Sequence, residues 1–206
     1  MFEIAFKENL ASLIDPTAVI ELYWKEIADA YSSKNRHYHN LDHLNNLYQQ
    51  LLPVKDNIRD WPIIIFSIAY HDLVYNSRKK DNEVKSAERA VERLQAIRIN
   101  TDRIDHCKQQ ILATAGHLIS DNSDVNYFTD ADLSILGVSQ SNYLDYASAI
   151  RKEYKMYPGF LYKPGRIKVL KYFLSLDRIF KTDHFHALYE VAARNNLAHE
   201  IQLLGG

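Results

Sequence analysis

Three histidines fall inside the eight residues Arg36-His37-Tyr38-His39-Asn40-Leu41-Asp42-His43; a His71-Asp72 pair and the run Asp130-Ala131-Asp132-Leu133-Ser134 come later in the chain. Imidazoles together with carboxylates suit a borderline divalent metal held in a buried site. A metal in such a site activates water and polarises the bond to be broken. A metallohydrolase is the chemistry these residue types predict.

Spacing sharpens the expectation. If the first run is helical, His39 and His43 stand at i and i+4, one turn apart on one face. One imidazole can then bind a metal while its neighbour handles a proton. His71-Asp72 closes the apolar stretch Trp61 to Tyr70, which predicts an internal helix with Pro62 tolerated in its first turn. A charged Asp at the end of such a run calls for a partner or an ion. Adjacent helical residues point about 100° apart, so His71 and Asp72 converge only on an ion in front of both, and the Asp72 carboxylate could bridge two ions. Asp132, between Ala131 and Leu133, could close the coordination set.

In type and order, His43, His71-Asp72 and Asp132 resemble the HD superfamily of metal-dependent phosphohydrolases, in which a His, a His-Asp pair and a distant Asp hold the metal within a helical bundle. Locally, Tyr38 to His43, Ala113-Thr114-Ala115-Gly116-His117 and Ala131 to Ser134 are similar to motifs of the cyclic-nucleotide phosphodiesterase branch. The chain is short for that branch's catalytic domain. Arg36 to Leu44, Asp81-Asn82-Glu83 and Ala193-Arg194-Asn195-Asn196-Leu197 look more like the small, stand-alone predicted HD phosphohydrolases. The resemblance implies an all-α HD-domain bundle in which His43, His71, Asp72 and Asp132 are metal ligands and His39 is the general acid. Asp72 doubles as the catalytic carboxylate that holds the attacking water. One or two ions drawn from Mn, Co, Fe, Ni, Zn or Mg are expected, with a small phosphorylated molecule, a nucleotide or a related monoester or diester, as substrate.

Other residues are candidates for substrate binding or for a second metal. Arg36 could grip a phosphate through two parallel hydrogen bonds, or form a salt bridge. Asp81 and Glu83 start a predicted helix, where the macrodipole favours carboxylates. The resemblance also makes them a candidate base or substrate contact. His117 could reach a second metal or a phosphate, or simply close a helix end. Lys163 and Arg166 lie in or beside a Gly/Pro-rich stretch and could belong to a substrate lid. His106 and His117, eleven residues apart on one predicted helix, stand about 16 Å apart and cannot share an ion. That weighs against an HD-scaffold di-iron oxygenase, which would need further histidines between Asp72 and Asp132. A non-catalytic metal- or nucleotide-binding module would be expected to have lost a ligand, and none of the four is missing.

The 206 residues suit a single domain, 1–206, large enough to bury a core. A hydrophobic content of 47% excludes disorder. With 25 basic and 26 acidic residues there is no overall field towards nucleic acid or anionic lipid, although local basic patches stay open. The lone Cys107 fits a reducing compartment, and neither a signal peptide nor a membrane span is legible. A cytoplasmic location is therefore expected; the oligomeric state, a homodimer among the options, stays open.

No stretch alternates in the manner of a strand, so the elements that must position these residues are helices. Expected starts include Asp15 as a cap before Pro16, leading a helix to about Tyr31, and the histidine segment itself, leading one to about Leu52. Asp81 to Ile97 should be amphipathic. Asn100 or Thr101 should cap a helix that reaches Gly116, with His117 to Asn126 a polar loop and Phe128 to Leu136 carrying Asp132. Tyr143 to Tyr154, Lys168 to Phe180 and Asp183 to Leu204 complete the set. Met156 to Gly165 reads as the clearest loop in the chain.

Overall fold

A computed structural model describes residues 1–13 and 17–206. The described residues form ten α-helices and no strand, the all-α class expected. The Asp15–Pro16 start lies outside the described residues. Contacts divide the chain into two compact units, Met1–Thr129 and Asp130–Gly206.

The first unit is built round α4 (Trp61–Tyr70), in which every residue from Ile63 onward is buried. A helix that is apolar on all sides must be enclosed, and α1 (Phe2–Ala11), α3 (Leu41–Leu51), α5 (Asn82–Ala96) and α6 (Thr101–Ala113) pack against it. Asp60 caps α4 by accepting from the Ile63 N–H, and Arg103 grips the same carboxylate with two bonds of 2.7 Å. Asp124, near the start of α7 (Ser123–Leu133), accepts from the backbone N–H groups of Arg59 and Asp60 at 3.0 Å. The start of α4 and the start of α7 are thereby fixed together.

Inside the apolar column the one polar residue, Ser67, donates to Gln110 Oε1 at 2.6 Å, as a buried hydroxyl requires. Between α2 (Thr17–Tyr31) and α5, Glu26 is held by Arg89 and Arg93 at 2.7 to 2.9 Å. Among the described residues no helix is long and apolar enough to cross a membrane.

In the second unit, α8 (Gln140–Glu153) and α9 (Gly159–Ser175) pack on α10 (Asp183–Leu204), which also lies against the turn Ser134–Gly137. At that turn a Cβ on Gly137 would stand 2.5 Å from Tyr189 Cβ and 2.7 Å from the Tyr189 carbonyl oxygen, so only glycine allows the approach. Asn196 donates to the carbonyls of Leu136 and Val138 at 2.9 Å. Arg194 bonds the carbonyls of Leu174, Leu176 and Asp177. The Ala193-to-Leu197 motif thus holds the turns that frame α10.

Three local expectations are corrected. The stretch Met156 to Gly165 is not a loop throughout, because α9 begins at Gly159 and runs through Pro164. Proline in a helix removes one backbone donor and frees the carbonyl four residues earlier. Here that carbonyl belongs to Phe160, which is 75% exposed, so water can replace the lost bond. The histidine segment does not open α3 at Arg36: Asn40 is the cap, and it accepts from Asp42 and His43 N–H groups. His39 therefore precedes the helix. Finally, α6 ends at Ala113 and not at Gly116, and the left-handed φ of 52° falls on His117.

Candidate metal centre

Asn40 sets the first ligand direction. By capping α3 it fixes the first turn, which buries His43 to 3% exposure. His71 follows directly on the enclosed α4 and is 1% exposed. The Nδ1 atom of His71 lies 3.0 Å from the Ile68 carbonyl. A carbonyl only accepts, so Nδ1 carries the proton and, in the neutral ring, Nε2 presents its lone pair.

That lone pair faces His43 Nε2 and Asp72 Oδ2. His71 Nε2 is 3.0 Å from His43 Nε2 and 3.1 Å from Asp72 Oδ2, while His43 Nε2 is 3.8 Å from the same oxygen. Three points so separated share a centre about 2 Å from each, the length of a metal–nitrogen or metal–oxygen bond. Such crowding of lone pairs is stable only with a proton or a cation among them. Burial pushes the Asp72 carboxyl up, but the imidazoles of His71, His39 and His43 outweigh it and hold the group well below the usual carboxylate range.

Asp132 lies one turn beyond Phe128 on the unbroken α7, and the Phe128 ring meets His71 edge-on at 5.8 Å. Asp132 itself belongs to the second unit. Two imidazoles and the Asp72 oxygen make a donor set for Mn, Fe, Co, Ni or Zn, and their spacing fits such an ion.

His39 stands at the rim. Its Nε2 is 3.9 Å from Asp72 Oδ2, its side chain is 20% exposed, and its ring stacks on Tyr75 at 4.4 Å. It is close enough to share the site and open enough to meet a ligand from solvent.

Sequence reasoning did not foresee what fastens these groups. Arg36 donates to the carbonyls of His39 at 3.2 Å, Asp72 at 2.7 Å and Leu73 at 2.8 Å, and its guanidinium lies 4.6 Å from the Tyr31 ring. Tyr31 in turn accepts from the Asp72 N–H at 3.1 Å. Ser86 bonds both backbone groups of Val74, and Asn82 bonds both of Asn76, so α5 clamps the segment that follows Asp72. Bonds to backbone carbonyls leave no spacing signature. The only hint was an arginine three residues before His39.

The remaining candidates lie as follows. Asp81 precedes α5 and pairs with Lys85 at 2.9 Å, and Glu83 is half-buried in the first turn. His117 is half-buried in the turn after α6, whereas His106 is exposed on α6. Lys163 and Arg166 are not in a lid loop but on α9: Lys163 is exposed, and Arg166 is bound by Glu200 through bonds of 2.8 and 2.9 Å. Burial pushes the Cys107 thiol up to about 12, so it is no nucleophile at neutral pH.

Comparison with protein-family models, curated proteins and solved structures finds no match.

Proposed function

We propose that this chain is a divalent-metal-dependent phosphohydrolase of HD type acting on a small phosphorylated molecule, a nucleotide or a related phosphoester. The observation that carries the reading is the meeting of His43 Nε2, His71 Nε2 and Asp72 Oδ2 round one point, with the His71 tautomer fixed by the Ile68 carbonyl. The order His43, His71-Asp72, Asp132 and the resemblance in local sequence support the same class.

His43, His71, Asp72 and Asp132 would hold the ion. When bound there, a divalent cation supplies Lewis acidity and lowers the pKa of water towards neutrality. The other tasks belong to the chain. Asp72, 16% exposed, accepts a hydrogen bond from the attacking water and orients it towards phosphorus. His39, stacked on Tyr75 and open to solvent on one side, holds a proton at Nε2 and delivers it to the leaving oxygen. Arg36 and Tyr31 keep the backbone of Asp72 in place, and Arg36 also holds that of His39.

The test is metal analysis of the purified protein, followed by a phosphate-release screen over nucleotides, cyclic nucleotides and sugar phosphates. Chelator-stripped protein would be assayed with added Mn, Co or Zn. The reading expects about one or two ions per chain and metal-dependent release from at least one class. Protein that binds metal but releases no phosphate from any class, and instead consumes oxygen when iron-loaded, would overturn it.

A further inference from the structure

We propose that the outer face of α9 is a docking surface for a membrane that carries anionic lipid, on which the protein lies without spanning it. One side of α9 is turned inward: Tyr162 and Leu170 are buried, and Arg166 between them is bound by Glu200 of α10. At about 100° per residue, the opposite side consists of two neighbouring rows, Phe160, Pro164 and Lys171 beside Leu161, Lys168 and Tyr172. These six fall within about 120° of one another. All are exposed, Phe160 to 75% and Leu161 to 55%.

The turn that leads into this face is held in place. Arg151 donates to the carbonyls of Tyr154 at 2.8 Å and Tyr157 at 3.0 Å, and its guanidinium lies 4.5 Å from the Tyr162 ring. Large apolar side chains presented to water on so fixed an element mark a contact surface. Charge identifies the occupant. From Tyr154 to Leu176 the chain has no Asp or Glu, yet it carries Lys155, Lys163, Lys168 and Lys171, all exposed. The fifth cation, Arg166, is neutralised by Glu200.

An occupant of this face must be anionic and apolar at once. A nucleic-acid strand would satisfy the lysines and leave Leu161 in water. A second copy meeting the face across a two-fold axis would set ammonium against ammonium. A bilayer containing an anionic lipid meets both demands: Phe160 and Leu161 enter the acyl boundary, and Lys168 and Lys171 stay among the headgroups with their stems along the apolar surface. At that shallow depth water still reaches the Phe160 carbonyl that Pro164 leaves without a donor.

Co-sedimentation of the full chain with vesicles tests the surface. Binding is expected to vesicles of phosphatidylcholine mixed with phosphatidylserine and not to phosphatidylcholine alone, and salt at about 1 M, where the screening length is about 3 Å, should release it. Lys168→Gln with Lys171→Gln should weaken binding about 25-fold, near fivefold for each charge. Phe160→Ser with Leu161→Ser should weaken it at least about tenfold. Phe160→Trp reports insertion even if those variants fail to fold: mixed vesicles should shift its emission to shorter wavelength by more than they shift that of the unmodified chain. The proposal is overturned if the chain does not sediment with the mixed vesicles, if both folded double variants bind as the unmodified chain does, or if the tryptophan emission stays put. Tight binding of a single-stranded oligonucleotide without vesicle binding would assign the face to nucleic acid instead. A dimer that the serine variant dissolves, again without vesicle binding, would assign it to a second copy. None of these residues belongs to the candidate metal centre, so either result leaves that centre to its own test.

Discussion

Replacing Arg36 by Ala should damage the site without touching a ligand side chain. Its guanidinium bonds three carbonyls at 2.7 to 3.2 Å, belonging to His39, Asp72 and Leu73, and it lies over the rings of Tyr31 and Tyr75. A hydrogen bond to a charged group contributes about 1.5–3 kcal/mol. The three share one half-buried donor, so they do not add in full, and the expected loss is about 2–4 kcal/mol, read as a fall in the urea midpoint. Because the same side chain fastens the backbones of His39 and Asp72, Mn2+ affinity should fall with stability. Arg36→Lys keeps the charge but not the planar fork, so it should recover about half of the loss. The reasoning is refuted if both variants unfold and bind Mn2+ as the unmodified chain does. If Arg36→Ala is stable and binds Mn2+ normally but loses affinity for phosphorylated substrates, the arginine grips phosphate and does not fasten the site.

Three further outcomes follow from the same geometry. Asp72→Asn should abolish phosphate release and weaken metal binding while far-ultraviolet circular dichroism stays near that of the unmodified protein; a folded variant with full turnover would remove the carboxylate from the mechanism. His39→Ala should keep its metal and lose about 10²–10⁴ in rate on a poor leaving group, but much less on a nitrophenyl ester; equal losses on both would indicate positioning and not proton donation. Burial pushes the Glu26 carboxyl up, but Arg93 and Arg89 outweigh it and leave the group below its usual range. A carboxyl depressed in the folded state stabilises above its unfolded pKa, about 4.3, and that contribution is lost as pH falls through the folded value. Urea midpoints of the unmodified protein should therefore fall below about pH 4.3 more steeply than those of Glu26→Gln, and parallel profiles would refute the linkage.

The elements most legible in the sequence were those whose pattern is local. The apolar run Trp61 to Tyr70 became the enclosed α4, and Asn100 caps α6 as its residue type suggests. The Asp183 to Leu204 span is α10 to the residue. In α1, Phe2, Phe6 and Leu10 repeat every four residues and are buried, a helical stripe obscured by the charges between them. The start of α9 was hidden because Pro164 and the two glycines signal a turn, and only their exposure to water makes a helix tolerable there. Of the candidate site, the grouping of His43, His71 and Asp72 was legible because residue type and order survive in one dimension. The fastening by Arg36 was not, since it depends on which carbonyls three-dimensional packing brings within reach.

The most direct test of the central claim is anomalous scattering from Mn2+-soaked crystals, recorded on either side of the manganese edge. The account predicts a peak about 2.0–2.3 Å from His43 Nε2, His71 Nε2 and an oxygen of Asp72, with Asp132 in contact. Crystals of the intact chain that show no manganese peak, or a peak remote from His43 and His71, would contradict it.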